Sequence, residues 1–333
     1  MDYEQQLGAI GAAANQEIAG LNEQVNQAAL VNQELNDEVL GLRETNRISV
    51  EVIESQRQQI VDLIQALADC TNSEPIKTTV FGVSAPQNTT GGKALVTPGE
   101  RIFFSPGKRY SSVGNSGQLY DALNRLAPGG TLWHSFKDRA GQWTRDLYTD
   151  IHTRWPDVRI LATAFHEPKD NFDYLNATSW AQWVSLQQSF EDAVGDLDFV
   201  EMVTITEAWN NPTRAPGYWD AMLRERQAFG FDSYNRGIGA PKAYIDPEVL
   251  HKPILDYTNA KKPGQRLLVG ETGSGAIDTI DGYSGRTQWL LDNRAYMAEH
   301  ADVAMWWNSG TDGPTGQGCR LSLNDLILWL GSD

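Results

Sequence analysis

From residue 78 onward, short apolar runs alternate with amphipathic stretches of helical period, and this alternation narrows the choice of fold more than any other feature. The runs are apolar throughout rather than at every second residue, which is typical of parallel strands covered on both faces. There are eight runs: 78–85, 101–105, 131–136, 158–165, 200–206, 228–233, 266–271 and 303–308. The amphipathic stretches between and after them include 140–155, 179–194, 285–300 and 322–330.

Two kinds of fold combine strands and helices in this way. Eight strand–helix units in roughly 255 residues match a closed (β/α)8 barrel of the TIM type. An open doubly wound sheet is the alternative, and it usually carries a glycine-rich phosphate loop directly after its first strand. Here the segment GVSAPQNTTGG (82–92) has no G-x-G-x-x-G spacing and leads into no helical pattern. We therefore predict an α/β fold in which 78–333 form a (β/α)8 barrel.

The first 72 residues show a different pattern. From Ile18 to Cys70, core positions alternate at spacings of three and four residues over eight heptads, without a proline. The first core position of each heptad holds Ile18, Val25, Asn32, Val39, Asn46, Ile53, Ile60 and Leu67. The second holds Leu21, Ala28, Leu35, Leu42, Ser49, Gln56, Leu63 and Cys70. A lone amphipathic helix is the alternative, but it rarely keeps a period of 3.5 for so long. We predict a long N-terminal parallel coiled-coil helix over 1–72, which makes the chain a homo-oligomer, and a linker over 73–77.

The charge of the chain excludes several classes of function. The net charge is −16, and residues 1–75 hold 13 acidic and 3 basic side chains, or −10, which leaves −6 for the remainder. Nucleic-acid binding is not expected of so acidic a chain, and neither is binding to anionic membranes. Insertion into a bilayer is not expected either, because no run of 18 apolar residues occurs. The start MDYEQQLGAI lacks the apolar core of a secretory signal, so we expect synthesis in the cytoplasm of a cell.

Polar and aromatic side chains collect where the predicted strands end, and this is the edge at which such barrels carry their chemistry. Two glutamates stand out, Glu167 after the fourth strand and Glu271 at the end of the seventh. The candidate ligand-binding residues are His134, His166, Glu207, Trp209, Tyr234, Trp306, Trp307 and Asn308. For Glu207, an ion pair at the strand end is the common alternative. Because no group of residues has metal-ligand spacing, we expect neither a metal nor a cofactor.

Two carboxylates that face one cavity lined by tryptophans suit the chemistry of glycosides. One carboxylic acid protonates the glycosidic oxygen, while the other carboxylate attacks or stabilises the oxocarbenium-like carbon. Aromatic rings stack on the apolar faces of sugar rings, and Asn or His side chains bind hydroxyl groups. The pair Glu167 and Glu271 therefore predicts a site for a sugar polymer.

The placement of these two glutamates resembles the "4/7" superfamily of retaining glycoside hydrolases. That resemblance implies a (β/α)8 barrel with Glu167 as acid/base and Glu271 as nucleophile. The pair His166-Glu167 is similar to the β-mannanase-like branch, glycoside hydrolase family 26, whereas many members carry Asn before the acid/base. Tyr234 matches a tyrosine that orients the nucleophile, and Trp306 or Trp307 matches a tryptophan platform for the sugar. No arginine stands at the end of the second predicted strand, 101–105, where many members place one near the nucleophile.

The order of the parts, a stalk followed by a glycosidase-like barrel, is similar to the organisation of bacteriophage tail or virion-surface proteins. This resemblance implies a virion protein with other virion or tail proteins as partners, and it favours a trimer, with a dimer as the alternative. Three functions remain open. The barrel is an active retaining hydrolase of a host cell-surface polysaccharide, a glycan-binding receptor module with idle carboxylates, or a structural decoration of the virion.

Overall fold

The structure, a computed structural model, describes residues 78–107, 109, 113, 116–208, 211–214, 217–235, 244–274, 286–308 and 319–331. It also describes a few residues between 20 and 57. The chain divides into two compact units, Met1–Ile76 and Lys77–Asp333. In the first unit the described residues from 20 to 35 are helical and exposed, and most of the predicted coiled coil over 1–72 lies outside the described residues.

The second unit is a closed barrel of eight parallel strands, each hydrogen-bonded to the strands that precede and follow it in the chain, with the eighth paired to the first. This confirms the predicted (β/α)8 barrel. The strands are β1 (Val80–Ser84), β2 (Thr97–Phe104), β3 (Leu126–Phe136), β4 (Arg159–Ala164), β5 (Val200–Glu207), β6 (Ala228–Asn235), β7 (Leu267–Ser274) and β8 (Ala301–Trp307).

The described helices that follow the strands form the outer layer. They are α1 (Gly117–Arg125), α2 (Gln142–Arg154), α3 (Ala177–Val194), α4 (Tyr218–Met222), α5 (Pro247–Lys261), α6 (Arg286–His300) and α7 (Leu323–Leu330). Several of these helices begin with a side-chain cap. Asn176 accepts hydrogen bonds from the N–H groups of Thr178 and Ser179 in α3, and Ser322 accepts one from the N–H group of Asp325 in α7. Such caps satisfy donors that a helix cannot pair internally. In the described part of the chain no helix is long and apolar enough to cross a membrane.

Alternation along the strands divides the core in two. The barrel interior is filled by one set of side chains, Trp133, Leu161, Val203, Ile205, Leu268, Val303 and Met305. The intervening residues point outwards and pack against the helices, with the largest clusters around Trp289, Trp306 and Trp329 on one side and around Phe136 and Tyr148 on the other. Which residue of a strand reaches the cleft is therefore set by its parity.

The two ends of the barrel differ in chemistry. At the end where the strands begin, Arg159 bonds Glu201 at 2.6 Å and Asp302 at 2.8 Å, so that ion pairs tie β4, β5 and β8 together. At the opposite end, called the upper end below, the strands finish in the acidic and aromatic side chains that the sequence singled out. The site is built at this upper end.

Candidate active site

Glu167 follows β4 in an unusual backbone conformation. Phe165 and Glu167 have φ of 56° and 52°, and together with Ala85 they are the non-glycine residues with positive φ in the described part of the chain. L-amino acids seldom adopt this region, and the cost is tolerated mainly where function requires it. The two turns on either side of His166 end the strand abruptly and bring His166 and Glu167 to the wall of the cleft.

Glu271 reaches the cleft because β7 carries an irregularity. Phe231 pairs with Val269, but its neighbour Asp232 pairs with Glu271, so Gly270 is an extra residue on β7. Such a bulge re-aims the side chains that follow it. Leu268 lies in the barrel interior, and simple alternation would turn Glu271 outwards three residues later. The bulge turns it inwards, where Tyr234 donates a hydrogen bond to its Oε2.

The guanidinium of Arg101 lies on the floor of the cleft and holds two acids. Its Nη1 is 2.8 Å from Asp232 Oδ1 and 3.4 Å from Glu271 Oε1. The rings of Phe103 and Trp133 flank it, with their centroids at 4.7 and 5.3 Å from Cζ. Arg101 is therefore placed to fix the carboxylate of Glu271. No arginine stands at the end of β2, as the sequence predicts, but Arg101 lies three residues before that end and its side chain extends to Glu271.

The carboxylates of Glu167, Asp232 and Glu271 converge. One oxygen of each can be chosen so that all three lie within 4.8 Å of one another. Three such oxygens could bind a cation, but the guanidinium of Arg101 already lies among them. One carboxylate oxygen of Glu167 therefore lies within 4.8 Å of one carboxylate oxygen of Glu271.

The cleft above this floor has a volume of about 470 Å³ and an aromatic wall. The lining residues are Phe103, Phe104, Ser105, Pro106, Lys137, His166, Glu167, Tyr234, Glu271 and Trp307. Phe103 makes edge-to-face contacts with His166 and with Trp307, at centroid distances of 5.0 and 5.2 Å. A wall of aromatic faces beside a few polar groups is the ordinary composition of a ligand pocket.

Burial dominates the electrostatics of the site. It raises the pKa of Glu271 well above the usual value, and the nearby Asp232 raises this pKa further, while Arg101 opposes both. Burial also lowers the pKa of His166 far below its usual value, with Arg101 and Lys137 acting in the same direction. His166 is therefore a neutral imidazole at neutral pH, able to donate or accept a hydrogen bond.

Glu207, predicted to bind substrate, lies beneath the cleft rather than on its wall. Its side chain is buried at the end of β5, and Oε2 accepts a hydrogen bond of 2.5 Å from Tyr218. Among the described residues no cation bonds it, so it is not the ion pair that strand-end glutamates often form. Burial raises the pKa of Glu207 to about 7.

For three other residues the predicted place in the ligand-binding cleft is wrong, because their side chains are buried away from it. His134 is fully buried between the barrel and α2, where Nδ1 is 2.9 Å from Tyr148 Oη. Trp306 packs in the outer core and donates to the carbonyl of Cys319. Asn308 is fully buried, and its side chain bonds the backbone of Leu321 and Ala85.

The remaining predicted residues divide simply. The structure brings Glu167, Glu271, His166, Tyr234 and Trp307 to one cleft, while Trp209 lies outside the described residues. Arg101, Phe103, Lys137 and Asp232 also belong to the site but are not among the candidates predicted from the sequence. Arg101 and Phe103 share a parity on β2, which is the signal that could have placed them on the same face.

Comparisons with known proteins give likeness of shape alone. Neither a scan against protein-family models nor a search of curated proteins gives a match. Among solved structures, the chain is similar to a broad-specificity endoglucanase of family GH5-4 from an uncultured bacterium, with 13% identity, TM-score 0.46, and coverage of 74% of this chain and 84% of that one. A GH128 endo-β-1,3-glucanase from Sorangium cellulosum is also similar, with 14% identity, TM-score 0.44, and coverage of 77% of this chain and 97% of that one. An endo-β-mannanase/endo-β-glucanase from Prevotella bryantii has 13% identity and a TM-score of 0.47, and the match covers 70% of this chain and 41% of that longer chain.

Proposed function

We propose that the barrel is a retaining glycoside hydrolase that binds and cleaves a polysaccharide in the cleft at its upper end. The observation that carries this proposal is the pair Glu167 and Glu271, whose carboxylate oxygens lie within 4.8 Å in a cleft with an aromatic wall. Oxygens this close favour direct attack by one carboxylate, as in retaining enzymes, whose carboxyl groups lie about 5–5.5 Å apart.

The two glutamates then have distinct roles. Glu271 acts in its ionised form, which the charges of Arg101 and Lys137 favour against burial and Asp232. Oriented by Tyr234 and Arg101, it attacks the anomeric carbon and forms a glycosyl ester as the bond to the leaving oxygen breaks. Glu167 gives its proton to that oxygen. In the second step Glu167 takes a proton from water, the water oxygen bonds to the anomeric carbon, and the ester bond to Glu271 breaks. The product keeps the configuration of the substrate.

The walls of the cleft supply binding. Trp307 and Phe103 offer ring faces and edges on which a sugar can stack, and both lie beside the two acids. Neutral His166 and the ammonium of Lys137 are placed to bond sugar hydroxyl groups. Stacked and hydrogen-bonded residues of this kind hold the anomeric carbon against Glu271, which converts an encounter into an oriented reaction.

We further propose that this barrel is carried on a phage virion or tail as a homo-oligomer, with a trimer favoured, and that its polysaccharide lies on the host cell surface. The support is the order of parts in the sequence, a heptad repeat over 1–72 followed by a barrel. A stalk of this kind anchors a head to an assembly and presents several clefts to one repetitive polymer, which multiplies weak binding.

The test is the release of reducing ends from host-envelope polysaccharide and from a panel of β-linked glycans. We expect Glu271→Gln and Glu167→Gln each to lower the rate at least about 10³-fold. Glu191→Gln is the matched control, because Glu191 is a buried glutamate paired with Arg224 on the outer face and does not line the cleft. Nuclear magnetic resonance of the first product should show retained configuration.

Two results would contradict the proposal in different ways. Inverted configuration would mean that Glu271 acts as a base on water. Absence of release, together with saturable glycan binding by the parent and by Glu271→Gln, would make the barrel a binding module with idle carboxylates.

A further inference from the structure

Three acidic side chains stand next to one another on neighbouring strands beneath the cleft. Glu207 on β5 is in register with Asp232 on β6, and Asp232 is in register with Glu271 on β7. They are 5%, 1% and 3% exposed. Partners in register on neighbouring strands project to the same face of the sheet, so these carboxyl groups form a row.

The row holds more acids than the buried cation beside it can balance. Arg101 Nη1 contacts Asp232 and Glu271, and no described cation is bonded to Glu207. The ammonium of Lys137 lies on the cleft wall above. A buried carboxylate without a counter-ion is costly, and the usual outcome is that the group keeps its proton.

Two buried oxygens of the row are without a hydrogen-bond partner. They are Glu207 Oε1 and Asp232 Oδ2. The other oxygens of the same two groups are bonded, Glu207 Oε2 to Tyr218 and Asp232 Oδ1 to Arg101. The register places the two carboxyl groups on neighbouring strands and on the same face, and one proton between them would make one oxygen a donor and the other its acceptor.

We propose that Glu207 and Asp232 share one proton, and that Glu207 is thereby a positioning residue for the cleft above it. With the proton on Glu207, Asp232 is the anion of the pair, and Arg101 remains bound between Asp232 and Glu271. When Glu207 ionises, a second buried negative charge competes for Arg101 and weakens its hold on Glu271.

The charges that face Glu207 agree with this arrangement. Burial raises its pKa to about 7, the hydrogen bond from Tyr218 of α4 lowers it, and the charges of Asp232 on β6 and of Glu167 after β4 raise it. Burial likewise raises the pKa of Asp232 to about 6, although Arg101 opposes this. Because the pKa of Glu207 in the folded protein lies above the unfolded value of 4.5, the contribution of this group to stability is full below pH 4.5. That contribution is lost as the pH rises through about 7.

The first experiment measures thermal unfolding of the full chain between pH 4 and pH 9. Glu207→Gln has the shape of the protonated acid and cannot ionise. We expect its melting temperature to equal the parent's near pH 4.5 and to exceed it above pH 7 by about 5 °C. A difference between the two proteins that does not change with pH would overturn the proposal.

Two matched variants separate sharing from simple burial. In an Asp232→Asn background the gain from Glu207→Gln should fall by at least half, because the partner of the proton is gone. An undiminished gain would overturn the shared proton. Glu191→Gln should behave oppositely, with a loss of stability above pH 4.5, since Arg224 and Gln227 outweigh burial and lower the pKa of Glu191.

Carboxyl ¹³C spectra provide a measurement that does not depend on how well variants fold. The signal absent from Glu207→Gln should titrate near pH 7 in the parent, and titration near 4.5 would overturn the proposal. One further outcome rests on the proposed function: in the parent kcat/KM should fall above pH 7 through this ionisation, and Glu207→Gln should shift that fall to higher pH. Failure of hydrolysis leaves the unfolding and ¹³C tests intact, so the two proposals fail separately.

Discussion

Arg101 is the residue on which the charge balance of the cleft floor depends. It is fully buried, it lies between two aromatic rings, and it contacts two of the three acids in the row. Nη1 contacts both carboxylates while Nε donates to Ser135 Oγ, so a lysine would keep the charge but lose this fixed pair of donors. The residue thus joins stability to chemistry, since the same contacts neutralise Asp232 and orient Glu271.

Replacement of Arg101 should therefore be costly. We expect Arg101→Met to lower the free energy of unfolding by about 3 kcal/mol, because it leaves a buried acid without its partner. Arg145→Met is the control, since Arg145 forms an exposed ion pair with Asp196, and its loss should cost less than about 1 kcal/mol. Urea unfolding of the two variants measures both values, and equal losses would show that Arg101 is not the balancing charge.

A single glycine allows the arginine to lie where it does. A methyl group at Gly270 would collide with Arg101 Nη1 and would lie 2.7 Å from Asp232 Oδ1. We expect Gly270→Ala to destabilise the barrel by about 1–3 kcal/mol and to displace Glu271. Gly117→Ala, at the open start of α1, should be neutral or stabilising. The free energy of unfolding and the rate of glycan hydrolysis should both decline in Gly270→Ala but not in Gly117→Ala.

At the scale of the element, the parity of a strand decides the role of each residue. On β8, Met305 points into the barrel, Trp306 into the outer core and Trp307 into the cleft. Two adjacent tryptophans therefore have opposite environments. Nothing in their residue type distinguishes them, and only the phase of the alternation does.

This contrast yields a paired test on β8. Trp306→Ala should lower the free energy of unfolding by about 3–5 kcal/mol, because a large buried side chain is removed. Trp307→Ala should cost much less stability but should weaken glycan binding by about 1–3 kcal/mol, a value comparable to other aromatic stacking platforms. Titration calorimetry with the glycan measures the loss of affinity in each variant, and unfolding measures the loss of stability. Equal effects on binding would mean that Trp307 is not a sugar platform.

Residue type and strand pattern predict the fold and part of the site, but not the phase of each strand. The alternation of apolar runs predicted the barrel, and glutamates at strand ends were identified because residue type and position agree there. The errors at His134 and Trp306 are errors of phase within correctly predicted strands, and Asn308 directly follows the end of β8. Arg101 was missed because it lies three residues before the end of β2, and only the length of its side chain brings the guanidinium to Glu271. The bulge at Gly270 could not be read from composition, since it is defined by the pairing of two strands.

At the scale of the whole molecule, the heptad repeat predicts that the protein is not a monomer. Leu21 and Leu35, at core positions of the repeat, are each 54% exposed in a single chain. We expect sedimentation equilibrium to give about three times the chain mass of 36.9 kDa, because apolar core positions need partner helices. Leu35→Asp combined with Leu42→Asp should shift the mass towards one chain. A parent protein of single-chain mass at micromolar concentration would contradict the predicted coiled coil.

The ion pairs of Arg159 with Glu201 and Asp302 lie at the end of the barrel opposite the cleft. These contacts between strands therefore lie away from the cleft, in contrast to those of Arg101. The segments that follow the strands could change while the lower end stays the same. Under the proposed function, such a change would give the cleft a new polysaccharide target through a few loops and without a new fold.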